Sequence, residues 1–252
     1  FDERMCEILE EYRPEVVSFH FGLPEKSLLD RVKSSKCCVI STATTVEEAC
    51  WLEEHGCDAV IAQGYEAGGH RGMFLTDDLA TQVGTLALVP QIVDAVSVPV
   101  IAAGGITDGR TIAAAFALGA SAVQIGTAYL FTPESLISRL HRHALLSANE
   151  NQTAMTNVFS GRPARSIRNR IINEVGPMST CVPAFPTAGN ALAPLKAKAE
   201  ASGVNDYSSL WAGQSACLGR EMKTVDLTKQ LAAEALRQFG LMASSFHTPL
   251  KY

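Results

Sequence analysis

Five short apolar runs punctuate the first part of the chain, at residues 16–22, 38–42, 59–64, 98–105 and 122–127. They are rich in Val, Ile and Ala, and each ends in Gly or Thr. Continuous apolar runs of this length suit parallel strands buried on both faces. Helical patterns fill the intervals. Thr45-x-x-Glu48 has the form of a capping box, which predicts a helix to about His55, closed by Gly56. Ile112, Ala115, Phe116 and Gly119 share one face of a second helix. Residues 79–95 are expected to be helical in part, with a break at Pro90. Another helix is expected over 133–147. Strand and helix alternate, which predicts an α/β fold with a parallel sheet. Two segments echo each other at a helix end, His55-Gly56-Cys57-Asp58-Ala59-Val60 and Leu118-Gly119-Ala120-Ser121-Ala122-Val123. Repeated βα units suit a barrel or a doubly wound sheet.

A closed (β/α)8 TIM barrel needs eight such units and about 250 residues. Five units are present by residue 148. The expectation is a barrel truncated at its N-terminal side and open there, with an open sheet as the alternative. Beyond residue 148 the chain becomes polar and its apolar runs shorten. Arg162, Arg165, Arg168 and Arg170 cluster with Gly161 and Pro163, and residues 225–239 form an amphipathic helical pattern. The expected division is a barrel domain over 1–148 and a smaller, mostly helical cap over 149–252, its last helix returning to the barrel.

Composition narrows the function. The 252 residues are 47% hydrophobic and 19% charged, with a net charge of −5. That leaves no electrostatic footprint for nucleic acid. No apolar run approaches the roughly 18 residues of a membrane span, and no signal peptide is recognisable. A cytoplasmic protein is expected. The chain opens at Phe1 without Met, which reads as a cut from a longer protein. Cys6, Cys37, Cys38, Cys50, Cys57, Cys181 and Cys217 make an odd set without a Cys-x-x-Cys pair. Reduced core thiols are expected.

In a parallel barrel the loops that follow the strands form the active face. After the third run comes Gln63-Gly64-Tyr65-Glu66-Ala67-Gly68-Gly69-His70-Arg71-Gly72. Its glycines let backbone approach a flat ligand, with a His and an Arg among them. Gly104 and Gly105 follow the fourth run, and Gln124-Ile125-Gly126-Thr127 closes the fifth. Small residues on two adjacent strand ends, next to helix N-termini, suit a phosphate. His20, after the first run, is read as facing the active mouth or as a satisfied rim residue. His55, His141, His143 and His247 are read as surface residues. No pair of histidines has metal-ligand spacing beside a carboxylate, so no metal site is expected.

Val17-Ser18-Phe19-His20-Phe21-Gly22, the block from Gly64 to Gly72, Ala102-Ala103-Gly104-Gly105-Ile106, Gln124-Ile125-Gly126-Thr127 and Trp211-Ala212-Gly213-Gln214 resemble, in order and spacing, the motifs of nitronate monooxygenases. The resemblance spans essentially the whole chain and is most specific in the block carrying His70. It implies a barrel that binds FMN and oxidises alkyl nitronates, such as propionate 3-nitronate, or nitroalkanes, with O2. It implies His70 as the catalytic histidine and His20 as a second active-site histidine. Flavin contacts are implied at Gln63, Gly68 and its neighbour Gly69. The FMN phosphate falls to Gly104, Gly105 and the stretch Gln124, Ile125, Gly126 and Thr127. The family's early Met/Ala/Gly-rich strand loop has no counterpart here, and the role of Trp211–Gln214 is open. Assembly as a homodimer is left open. The alternatives are an NAD(P)H-dependent flavin reductase acting on a quinone or enoyl thioester, a non-catalytic phosphate-binding barrel, and an inactive barrel fragment.

Overall fold

A computed structural model describes residues 1–245; His247 lies outside the described residues. The strands are β1 (Val16–Phe19), β2 (Cys38–Ala43), β3 (Ala59–Gln63), β4 (Gly69–His70), β5 (Val100–Ala103), β6 (Ala122–Gln124), β7 (Thr153–Thr156) and β8 (Ala164–Ile167). The principal helices are α1 (Glu3–Tyr12), α2 (Lys26–Ser34), α3 (Val46–Glu54), α4 (Thr85–Ala95), α5 (Gly109–Ala117), α6 (Thr127–Leu130), α7 (Arg139–Leu146), α8 (Arg170–Val175), α9 (Ala188–Ala201) and α10 (Thr224–Ser245).

The chain forms two compact units. The first comprises Phe1–Tyr65, Gly72–Ala103 and Ala115–Gln124; the second comprises Glu66–Arg71, Gly104–Ala114 and Ile125–Tyr252. The first unit holds a five-stranded sheet in the order β1-β2-β3-β5-β6, every neighbouring pair parallel. All five expected runs became its strands. The order follows the chain without reversal. A doubly wound sheet reverses at a switch point, whereas sequential parallel order is that of barrel strands. The sheet begins at β1 and ends at β6.

β3 is buried along its whole length, and Val39, Val60, Ala62, Val100 and Ala102 form the sheet's part of the core. Leu52 of α3 and Leu88, Val89 and Ile92 of α4 complete it. Thr45 caps α3 by accepting from the Glu48 N–H at 3.2 Å. The Glu48 carboxylate does not return to Thr45 as a capping box would. It is fully buried and accepts from Thr44 N–H and hydroxyl, both at 2.7 Å, and from the N–H groups of Phe74 and Leu75 at 2.6 and 3.2 Å. Four charge-assisted bonds satisfy a carboxylate that burial would otherwise penalise.

The expected break at Pro90 does not occur: α4 runs through it. The carbonyl deprived of its helical donor belongs to Leu86, which is 71% exposed, so the lost bond falls on a residue open to solvent, where it costs least. The helix expected over 133–147 is shorter, beginning at Arg139 after the Ser138 cap.

The second unit holds a three-stranded antiparallel sheet in the order β4-β8-β7, which the sequence pattern did not announce. Phe131, Leu145, Ile167, Leu210 and Ala212 form a core cluster. The long amphipathic pattern became α10. Its Glu234 meets Arg220 at 2.6 Å and accepts from the Gly109 N–H at 3.2 Å. Gly109 has no room for a side chain: a Cβ there would lie 2.3 Å from that of Glu234. The cysteines are reduced, but only Cys6, Cys37 and Cys57 are buried, while Cys38, Cys181 and Cys217 are exposed. Among the described residues no helix is long and apolar enough to cross a membrane.

Candidate active site

The loop Glu66–Arg71 belongs to the second unit, and main-chain contacts fix it. Gly69 pairs with Arg165 and His70 with Ala164 across β4 and β8. The Arg71 N–H donates to Pro163 O at 2.9 Å. The Trp211–Gln214 segment, whose role the sequence left open, also packs against the loop and bridges to Ser166 of β8. The Gln214 N–H donates to Glu66 O at 2.9 Å. A Cβ on Gly68 would lie 2.5 Å from the Ala212 carbonyl carbon and the Gly213 nitrogen. Gly213 in turn donates to Thr127 Oγ1 at 2.9 Å. The glycines of both segments let two backbones meet in van der Waals contact, and Thr127 joins them to the start of α6.

His70 stands in this lattice with its ring 5.3 Å from Trp211 and edge-on to Phe185 at 5.9 Å. Its Nε2 lies 2.7 Å from Ser160 Oγ. Burial, and then the nearby Arg162 cation, hold His70 below the ordinary histidine range. The ring is therefore neutral near pH 7 and able to take a proton. Arg162 lies over the Phe185 ring at 5.7 Å. Ser160 and Phe185 were not read from the sequence, and Arg162 was noticed only as one of a cluster. The one local signal was Gly161. It has φ +89°, and a Cβ there would lie 2.5 Å from Phe185 N.

His141 is a correction to the sequence reading. It is 8% exposed, not a surface residue. Its Nε2 lies 3.1 Å from Trp211 O, so it backs the segment whose ring walls His70. Burial lowers its pKa, opposed by that hydrogen bond.

Gly104 and Gly105 have φ of +108° and +71°, the region that favours glycine. Among the described residues, no atom lies within 4 Å of a Cβ placed on Gly126 or Gly69. Ile125 and Gly126 connect β6 to α6.

In the first unit, two expected residues converge on Gly72. Its N–H donates to Gln63 Oε1 at 2.9 Å. A Cβ there would meet Thr42 Cγ2 at 2.5 Å and His20 Cε1 at 3.0 Å. His20 Nδ1 lies 3.2 Å from Thr42 Oγ1, and His20 is exposed. Gln124 ends β6 and is exposed.

A family model described as nitronate monooxygenase matches residues 1–234. A probable nitronate monooxygenase of Staphylococcus saprophyticus is 42% identical over 87% of this chain. The chain spans 62% of that relative's length. A nitronate monooxygenase of Pseudomonas aeruginosa is 43% identical over 92% of this chain and 67% of its own. The crystal structure of a nitroalkane oxidase from Streptomyces ansochromogenes superposes with a TM-score of 0.87 at 40% identity, covering 94% of this chain and 68% of that one.

Proposed function

The chain belongs to the nitronate monooxygenase family, and from that membership we propose that the protein oxidises alkyl nitronates such as propionate 3-nitronate, and nitroalkanes, using O2 and bound FMN. In this reading the five βα units through residue 148 are part of an eight-stranded barrel. Residues 149–252 form the smaller cap domain. Bound FMN would supply the redox chemistry, with the residues assigned below holding it.

The backbone suits that cofactor. Gly104 and Gly105 adopt positive φ, and there is clear space where a side chain would stand on Gly126. An anion can be held by main-chain N–H groups in loops of this kind. We assign the phosphate to these residues with Gln124, Ile125 and Thr127. We assign the isoalloxazine contacts to Gln63, Gly68 and Gly69.

The observation that carries the reading is the state of His70: half-buried, walled by Trp211 and Phe185, and kept neutral. A neutral imidazole at pH 7 is the base a nitroalkane needs, since the proton α to the nitro group must leave before electrons do. With a preformed nitronate no proton is removed, and the positive charge of Arg162 favours the anion. His20 is assigned to orient substrate, held by Thr42.

The test is His70→Asn in the full-length protein. The variant is expected to stay yellow through a desalting column after FMN is added. Its kcat/KM for a neutral nitroalkane should fall about 100-fold or more, while nitronate turnover persists. Intact nitroalkane turnover would remove the base assignment. Rapid bleaching by NADH or NADPH without O2 would replace the whole reading with a flavin reductase.

A further inference from the structure

We propose that the second unit carries a binding site for a free α-amino acid, in a cavity lined by residues of α7, the end of β8, α8 and the loop after α9. The cavity has a volume of about 660 Å³, within the range of small-molecule sites. Of its lining residues, Ala144, Ile167 and Leu210 are apolar and buried. Gln152, Arg168, Asn169, Asn173, Asn205 and Asp206 supply polar groups. The cavity lies at the Ile167 end of β8, whereas Ala164, the partner of His70, stands at the other end. It is therefore separate from the candidate active site.

The first feature that points to a ligand is an unmet acceptor. Asn169 is 8% exposed and immediately precedes α8. An Asn in that place ordinarily gives its side-chain oxygen to a helical N–H, but this one makes no such bond. Its Nδ2 donates instead to Asn205 O and Ser208 O, both at 2.9 Å. Those two carbonyls fix which end of the amide is the nitrogen. Oδ1 is left buried with no partner among the described residues. A lining residue of the cavity thus carries the full desolvation penalty of an acceptor without a donor.

The second feature is two opposite charges that do not meet. Arg168 donates through Nε and Nη2 to Asn173 Oδ1, at 3.2 and 3.0 Å. That neutral acceptor holds the guanidinium without cancelling its charge. Neither Arg168 nor Asp206 forms an ion pair among the described residues. Arg170, which feels the charge of Asp206, is itself paired with Glu174 at 2.7 Å. An α-amino acid answers this set. Its carboxylate would pair with Arg168. Its ammonium, with three donors, would serve Asp206 and Asn169 Oδ1. Its side chain would lie against the apolar residues. A ligand of one charge sign would leave either Arg168 or Asp206 unmatched.

The wall is preorganised. The Ile171 N–H donates to Asp206 O at 3.1 Å, the Ser208 N–H to Asn205 O at 3.0 Å and the Arg168 N–H to Gln152 O at 2.8 Å. Main-chain bonds hold the residues that carry the charges, which lowers the ordering cost of binding.

The test is isothermal titration calorimetry of the full-length protein, with FMN added, using L-glutamine and L-leucine as probes. At least one should bind, and its analogues lacking either the ammonium or the carboxylate should not. Those analogues are glutaramate and γ-aminobutyramide for glutamine, and isocaproate and isopentylamine for leucine. Arg168→Gln and Asp206→Asn should each weaken binding about 10-fold or more. Absence of binding by both amino acids at millimolar concentration overturns the proposal. So does equal binding of an analogue lacking one charge, or affinity that survives both substitutions. The analogues decide it even if a variant does not fold. Calorimetry reads binding and not turnover, so the result stands apart from the proposed function.

Discussion

The two compact units are built on different physics. In the first, a parallel sheet of aliphatic strands is covered by aliphatic helix faces, and burial is the organising force. The second buries apolar clusters too, but adds backbone lying directly on backbone at Gly68, Gly161 and Gly213, and polar clamps such as Arg220–Glu234. A unit held by burial is graded: it loses stability in proportion to the volume removed. A unit held by close backbone contacts is steric: it tolerates no added atom at a few points.

Leu52→Ala is the largest expected effect and tests the first half of that contrast. Leu52 is fully buried in the first unit, and the loss should be about 2–5 kcal/mol in urea unfolding. Gly68→Ala tests the second half. One methyl group placed 2.5 Å from main-chain atoms of Ala212 and Gly213 should cost about 1–3 kcal/mol and weaken flavin retention. If Gly68→Ala leaves both stability and flavin retention unchanged, the contrast fails.

The smallest effect is electrostatic. Arg220, ahead of Gln230 and the Gly109 N–H, holds the Glu234 carboxyl down to about 2 from an ordinary 4.5. A carboxyl depressed on folding stabilises the protein above its unfolded pKa, and that contribution is lost as pH falls through the folded pKa. The pair is partly exposed, so its contribution is about 1 kcal/mol or less. The stability gap between wild type and Glu234→Gln should be full at pH 6 and should close as pH falls from 4.5 toward 2. A gap independent of pH would show that Glu234 acts through packing against Gly109 and not through charge.

The same contrast governs what could be read from sequence. Burial leaves a periodic signature, so all five parallel strands and the capped start of α3 were legible. The antiparallel sheet was not. In β8 the sequence Ala164-Arg165-Ser166-Ile167 is buried at every position, the Arg and Ser included, so neither alternation nor an apolar run marks it. β7 is Thr-Ala-Met-Thr, equally unmarked. Pro90 misled because a helix tolerates proline where the orphaned carbonyl is on an exposed residue. At the site, His70 and the glycines stood out by density and place. Ser160, Phe185 and His141 did not, since their positions depend on pairings between distant parts of the chain.

The contact between the Glu66–Gly69 loop and the Trp211–Gln214 segment also bears on how such proteins diverge. One strip of backbone is moulded on another encoded far downstream, so their substitutions are not independent. A hybrid gene that crosses from one relative to another at the position aligned with residue 148 takes the two strips from different parents. Where those parents differ at either strip, the hybrid should express with the sheet intact and its histidine loop misfitted. Where they agree, the crossover should be silent.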